Sequence, residues 1–226
     1  MQTTRRIFLI SLSAAATVAI AHPQPKPVFV SGPKFFVASL TPVDRSGVFD
    51  EVLAKDLLKY FNDCGVDGVL VLGTTGEFSS FSVKERKRIL ETMIKYRGDL
   101  ELICNVTTPN LPESMELLEH AADSGADRAL LLPPFYFKNP SIEGLEAFFA
   151  PLLKAARIPI LLYNIPQYSG VAITADLVNR LSRYESLYGI KDSSGDLDGL
   201  LNFIKKFPKL KILTGSGRLL SQALLA

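Results

Sequence analysis

Two side chains able to act on a carbonyl group stand at the ends of separate apolar runs. Lys191 closes "SLYGIK" and opens "KDSSGD", and Tyr163 closes "IPILLY" and opens "YNIP". An ammonium group placed directly after a core-bound run is costly unless it is paired or held neutral. A neutral lysine attacks ketones, and the Schiff base it forms is an electron sink. Two further run ends carry hydroxyls, glycines and aromatics: "GTTGEF" at 73–78 and "PPFYFKNP" at 133–140. The chain has only two histidines, His22 and His120, and these ends hold no cluster of carboxylates, so an imidazole-bound metal lacks its ligands. The pattern predicts amine-and-hydroxyl chemistry with no metal and no cofactor. Its rival is a surface ion pair between Lys191 and Asp192 or Asp196.

The segments that must position these residues alternate with few interruptions from Phe35 onward. "FFVASL", "GVLVLG", "ELICNV", "RALLLPP", "IPILLYNIP", "SLYGIKDS" and "LKILTGSG" read as strands. Between them lie helical patterns, such as "VFDEVLAKDLLKYFNDCG" with Leu53, Leu57, Leu58 and Phe61 on one face. The next helix is "SVKERKRILETMIKYRG", with Ser82 and Glu85 spaced as a capping box. Strands that are continuous apolar runs are buried on both faces, which predicts a parallel sheet covered by helices. About seven such units, without a GxGxxG after the first strand, favour a TIM (β/α)8 barrel over a doubly wound sheet. The pattern stops after strand 7, at the start of helix 7, so the expectation is an incomplete barrel over residues 28–226.

The first 27 residues differ. "TTRRIFLISLSAAATVAIAHP" has paired arginines, an apolar stretch and a small-x-small end, as a twin-arginine export signal does. This predicts a periplasmic protein; a cytoplasmic one is the alternative. No other apolar run approaches the roughly 20 residues that cross a bilayer. The composition of the whole chain is that of a globular protein, 47% hydrophobic and 21% charged, with a net charge of +2. So balanced a charge gives no support to nucleic-acid binding. Cys64, in a helical pattern, and Cys104, in a strand run, are expected to be buried free thiols.

From about Lys34 to its last residue the chain resembles the dihydrodipicolinate synthase/N-acetylneuraminate lyase family of class I pyruvate-dependent aldolases. "GTTGE", "YNIP" and "GIKDSSGD" carry the resemblance, in order and each at a strand end. It implies that Lys191 forms the Schiff base with pyruvate or a 2-keto acid, and that Tyr163 shuttles protons. Thr74 would relay protons to Tyr163. Thr75, with the backbone N–H groups of the loop beginning at Gly73, would hold the substrate carboxylate ahead of a helix N-terminus. Tyr136 would reach into a partner subunit's site within a homodimer or homotetramer, and Ser193 takes the small hydroxyl position after the lysine. Each has a plainer alternative: "GTTG" as a simple turn before the Ser82 cap, Tyr163 as a rim aromatic, Tyr136 as core packing, Ser193 as a helix cap.

The sequence departs from two subfamilies. Lysine-pathway synthases carry an arginine where this chain has Tyr168, and a phenol cannot form the two-pronged bond to a carboxylate. Sialic acid lyases have acidic residues after strand 7, where Gly217 and Arg218 stand here. The expected activity is carbon–carbon bond cleavage or formation with pyruvate as one partner. The alternatives are a keto-deoxy sugar acid dehydratase using the same imine, or a catalytically inactive barrel that binds a keto acid.

Overall fold

The computed structural model describes residues 33–226; the leader-like residues 1–27 lie outside them. Seven parallel strands follow one another in chain order: β1 (Phe36–Ala38), β2 (Gly68–Val71), β3 (Glu101–Asn105), β4 (Arg128–Leu131), β5 (Ile160–Asn164), β6 (Leu187–Asp192) and β7 (Lys211–Thr214). The connecting helices are α1 (Glu51–Asp63), α2 (Val83–Tyr96), α3 (Leu111–Ser124), α4 (Ile142–Ala155), the single turn α5 (Pro166–Ser169), α6 (Ala175–Leu181) and α7 (Leu197–Lys206), with α8 (Leu220–Leu225) after β7. Parallel strands in sequential order, each followed by a helix, are the arrangement of a (β/α)8 barrel. Among the described residues seven of its strands are present.

Alternation along each strand divides the core in two. Leu70, Ile103, Leu130, Leu161 and Tyr163 form a cluster on the inner face of the sheet. Val69, Val71, Leu102, Cys104, Ala129, Leu131, Ile160, Leu162 and Ile190 point outward and pack against helix residues such as Leu58, Ile89, Leu117, Phe149 and Leu177. Burial of each such side chain contributes about 1.5–3 kcal/mol. The helices start where polar N-cap residues stand in the sequence. Ser82 and Glu85 form a complete capping box on α2, Thr174 caps α6 and Asp196 caps α7.

Two expectations fail. Leu53 is exposed; α1 buries Leu58 and Phe61 as expected, but beside them Ala54, a small residue that lets the helix approach the sheet closely, takes the core position. Cys64 is exposed as well, because it is the residue that ends α1, whereas Cys104 is buried; both thiols are free.

Candidate active site

Tyr163 on β5 and Lys191 on β6 are register partners, so both side chains leave the sheet on its inner face. Lys191 Nζ lies 4.2 Å from the centroid of the Tyr163 ring, within the range of a cation–π contact. Tyr163 is 2% exposed, and its hydroxyl stands 3.4 Å from Thr74 Oγ1. Three residues from three strand ends, 74, 163 and 191, are thereby joined in one chain of contacts. A rim position for Tyr163 does not fit this burial.

Nor does an ion pair fit Lys191. Asp192 points to the opposite side of β6, where Asn164 Nδ2 donates to Oδ2 at 2.6 Å and the Ser194 hydroxyl to Oδ1 at 2.7 Å. Asn164 Oδ1 accepts in turn from the Ile173 N–H at 3.0 Å, which fixes the chain leading into α6. Asp196 accepts from the Asp198 N–H at the start of α7. Among the described residues no carboxylate lies within 4 Å of the Lys191 nitrogen.

"GTTGE" is more than a turn before a cap. Leu72 and Glu77, at either end of it, have φ of +55° and +50°, in the left-handed region. Such backbone costs on the order of 1–3 kcal/mol per residue and persists only where its surroundings hold it. The holding bonds are visible. Asn105 Nδ2 donates to Leu72 O at 2.8 Å, Thr41 Oγ1 to Gly76 O at 2.8 Å, and the Phe78 N–H to Gly73 O at 3.4 Å. The expected helix N-terminus is not here, however. A 3₁₀ turn at Phe78–Ser80 follows the loop, and α2 starts only at Val83 behind its own cap. Any anion held by Gly73, Thr74 and Thr75 would rely on loop amides and hydroxyls, without the dipole of α2.

Beneath this loop lies a charge that the sequence did not single out. Arg86, in the first turn of α2, is 3% exposed. It donates to Asn105 O at 2.7 Å and to Thr107 O at 2.8 Å, and its guanidinium carbon sits 5.3 Å from the centroid of the Phe78 ring. Burial pushes it down to about 10, against a weaker opposing influence from Cys104. In "KERKR" it reads like any solvated cation.

Ser193 does not cap a helix, since Asp196 does. Its carbonyl accepts from Gln167 Nε2 at 2.7 Å and its N–H donates to Asn164 O at 2.8 Å. Its hydroxyl faces Gly215, just beyond β7. A Cβ on Gly215 would stand 2.0 Å from Ser193 Oγ and 3.3 Å from Lys191 Cε, so a bare glycine is what leaves room for both. Its only sequence signal is a glycine ending the strand beside the lysine.

Tyr136 is not core packing. It is 74% exposed beside the equally open Phe137, and Phe135 alone of the three turns inward, edge-on to Phe78. No hydrogen bond joins Tyr136 to Tyr163 or Lys191 among the described residues. Tyr168 on α5 and Arg218 after β7 are exposed.

Comparison with known proteins places the chain. Residues 33–226 match the model of the dihydrodipicolinate synthetase family. An uncharacterized DapA-like lyase of Chloroflexus aurantiacus is 41% identical over 192 residues, covering 83% of this chain and 64% of the relative. The 4-hydroxy-tetrahydrodipicolinate synthase of Methanothermobacter thermautotrophicus is 36% identical over 163 residues, 72% of this chain and 57% of the relative. Among solved structures, YagE from E. coli K12 in complex with pyruvate superimposes with a TM-score of 0.81 at 28% identity, covering 85% of this chain and 66% of that one. A sialic acid aldolase of Ruminococcus gnavus, solved as its catalytic lysine mutant, gives 0.80 at 30% identity, with 85% and 64% covered. The chain thus spans somewhat less than two thirds of the length of the curated relatives it matches. It belongs to the dihydrodipicolinate synthetase family.

Proposed function

We propose that the protein is a Schiff-base lyase, making or breaking a carbon–carbon bond next to the keto group of pyruvate. The observation that carries this is the contact chain from Lys191 to Tyr163 to Thr74. The amine of Lys191 attacks C2 of pyruvate to give a carbinolamine. Tyr163 supplies the proton with which the hydroxyl leaves as water, and the C=N bond forms. The iminium then draws electrons as the Tyr163 phenolate takes a proton from C3, and the resulting enamine adds to an aldehyde, whose oxygen takes that proton from Tyr163. Cleavage runs the same steps in reverse. Thr74 is placed to pass protons to and from the phenol. Thr75 and the amides after Gly73 are offered for the pyruvate carboxylate, and Ser193 for a substrate oxygen beside Lys191.

A barrel that merely bound a keto acid would have no use for a buried phenol hydrogen-bonded to a threonine. That YagE was solved in complex with pyruvate supports the substrate class. Tyr168, in the place of an arginine, speaks against the lysine-pathway partner. The exposed Tyr136 fits a role in the site of a second copy, in a homodimer or homotetramer.

Borohydride reduction in the presence of pyruvate tests the assignment. Peptide mass spectrometry should find the reduced pyruvyl adduct on Lys191; no adduct, or one on another lysine, overturns it.

A further inference from the structure

Arg86 has no part in the chemistry described above, yet it is buried among the supports of the site. Among the described residues no carboxylate lies within 4 Å of its guanidinium, and its Nε has no partner. A buried cation without a counter-charge opposes stability, and an apolar side chain would fill the same space at less cost. What only the planar fork provides is two directed bonds and a flat face. The bonds go to Asn105 O and Thr107 O, and the face covers Phe78. Asn105 then holds Leu72 O through Nδ2, and the Phe78 N–H holds Gly73 O. One guanidinium therefore secures both ends of the 72–78 segment, whose left-handed Leu72 and Glu77 cannot hold their conformation unaided. The hydroxyl that this segment carries to Tyr163 is that of Thr74.

We propose that Arg86 is a positioning residue, which sets the Thr74 hydroxyl against Tyr163 by clamping the strained loop between β2 and α2. The inference rests on the Schiff-base function proposed above.

The test is a double-mutant cycle on the purified protein, reading the rate at which pyruvate becomes borohydride-trappable on Lys191. Arg86→Met and Thr74→Val should each slow that rate about tenfold, the scale of a displaced proton-relay group. The double variant should be no more than about threefold slower than the slower single, because both changes break one relay. Effects that multiply overturn the proposal. So does an Arg86 variant with a lowered melting midpoint and the parent's rate, the signature of a purely structural role. If Arg86→Met fails to fold by circular dichroism, Arg86→Lys, which keeps one donor, takes its place in the cycle with the same criteria. A parent protein that forms no adduct overturns the Schiff-base function and this proposal with it. A parent that forms the adduct, beside an Arg86 variant that is equally fast, overturns this proposal alone.

Discussion

Replacing Gly215 by alanine separates the placement of the lysine from the integrity of the fold. The backbone there lies outside the left-handed region, so alanine brings no conformational strain. Fewer unfolded conformations would even return about 0.4–1 kcal/mol. The new methyl would meet Ser193 Oγ at 2.0 Å, which a rotation of that hydroxyl relieves, since it makes no hydrogen bond among the described residues. It would also meet Ser193 Cβ at 3.1 Å and Lys191 Cε at 3.3 Å, contacts that no hydroxyl rotation relieves, so the serine and the lysine must each give way by a few tenths of an ångström. Displacement of a reacting group by 1 Å can cost about 10²-fold, so this smaller shift should slow imine formation about three- to tenfold. The melting midpoint should stay within about 4 °C, what 1 kcal/mol is worth in a domain of this size. The assay is the initial rate of borohydride-trappable adduct, measured well below the midpoint. Adding Ser193→Ala removes the clash with Oγ and leaves the contacts with Cβ and the lysine, so the double variant should remain slower than Ser193→Ala alone by the same factor. A Gly215→Ala protein within about twofold of the parent's rate would refute the idea that this glycine sets the lysine's position.

Three further outcomes follow from the same geometry. Tyr163→Phe keeps the ring under Lys191 and deletes the hydroxyl; turnover should fall about 10²- to 10⁴-fold, and a loss of only a few-fold would remove the phenol from the mechanism. Gly189→Ala would drive a methyl to 2.0 Å from the Lys211 carbonyl oxygen, where β6 and β7 must part, so urea denaturation should show a loss above about 3 kcal/mol; a shift under about 1 kcal/mol would mean the strands are not held so close. Burial pushes the Cys104 thiol up from 9.0 to about 12, so between pH 9 and 10 the native state keeps a proton that the unfolded chain releases. Stability should therefore fall by about 1 kcal/mol across that unit of pH, a contribution that Cys104→Ala should remove; above about pH 10 the lowered Arg86 works in the opposite direction. An unchanged slope in Cys104→Ala would place the alkaline sensitivity elsewhere.

Which of these residues could be read from the chain depended on whether their role is local. The strands were legible because burial on both faces leaves an uninterrupted apolar run, and Ser82 with Glu85 because a capping box is a contact across three residues. Leu53 misled because its spacing with Leu57 fits a helical stripe equally well; only the approach of α1 to the sheet decides that Ala54 lies inside. Leu72 and Glu77 carry no sign of their left-handed backbone, since glycine is the usual marker and neither is one. Arg86 was hidden among five other charges within "KERKRILE", where its burial is set by Asn105, Thr107 and Phe78 from outside the helix. Gly215 is defined wholly by a neighbouring strand.

The question raised by a lysine in a core-bound strand is answered by the pleat. Lys191 and Asp192 are adjacent in sequence, and in a loose turn they could meet as a salt bridge. In a strand they must face opposite sides. The aspartate goes outward to Asn164 and Ser194, where its oxygens are engaged, and the lysine goes inward to the face of Tyr163. A carboxylate at the amine would lock it in an ion pair, and an ammonium has no lone pair with which to attack a ketone. The tyrosine ring holds the nitrogen through a weaker, non-bonding attraction and brings its own proton donor to the same place. Strand pairing supplies the rest: the register that sets residue 163 beside residue 191 puts the hydroxyl within reach of Thr74 on the loop after β2. One residue of slip between β5 and β6 would turn Lys191 outward, toward the side where the Asp192 carboxylate already takes two hydrogen bonds. The shift in register between Ile160 and Leu161 therefore matters for chemistry as well as for packing. It pairs Leu187 with Ile160 and Gly189 with Leu161, leaving Tyr188 as the extra residue, and only then do Tyr163 and Lys191 arrive on the same side.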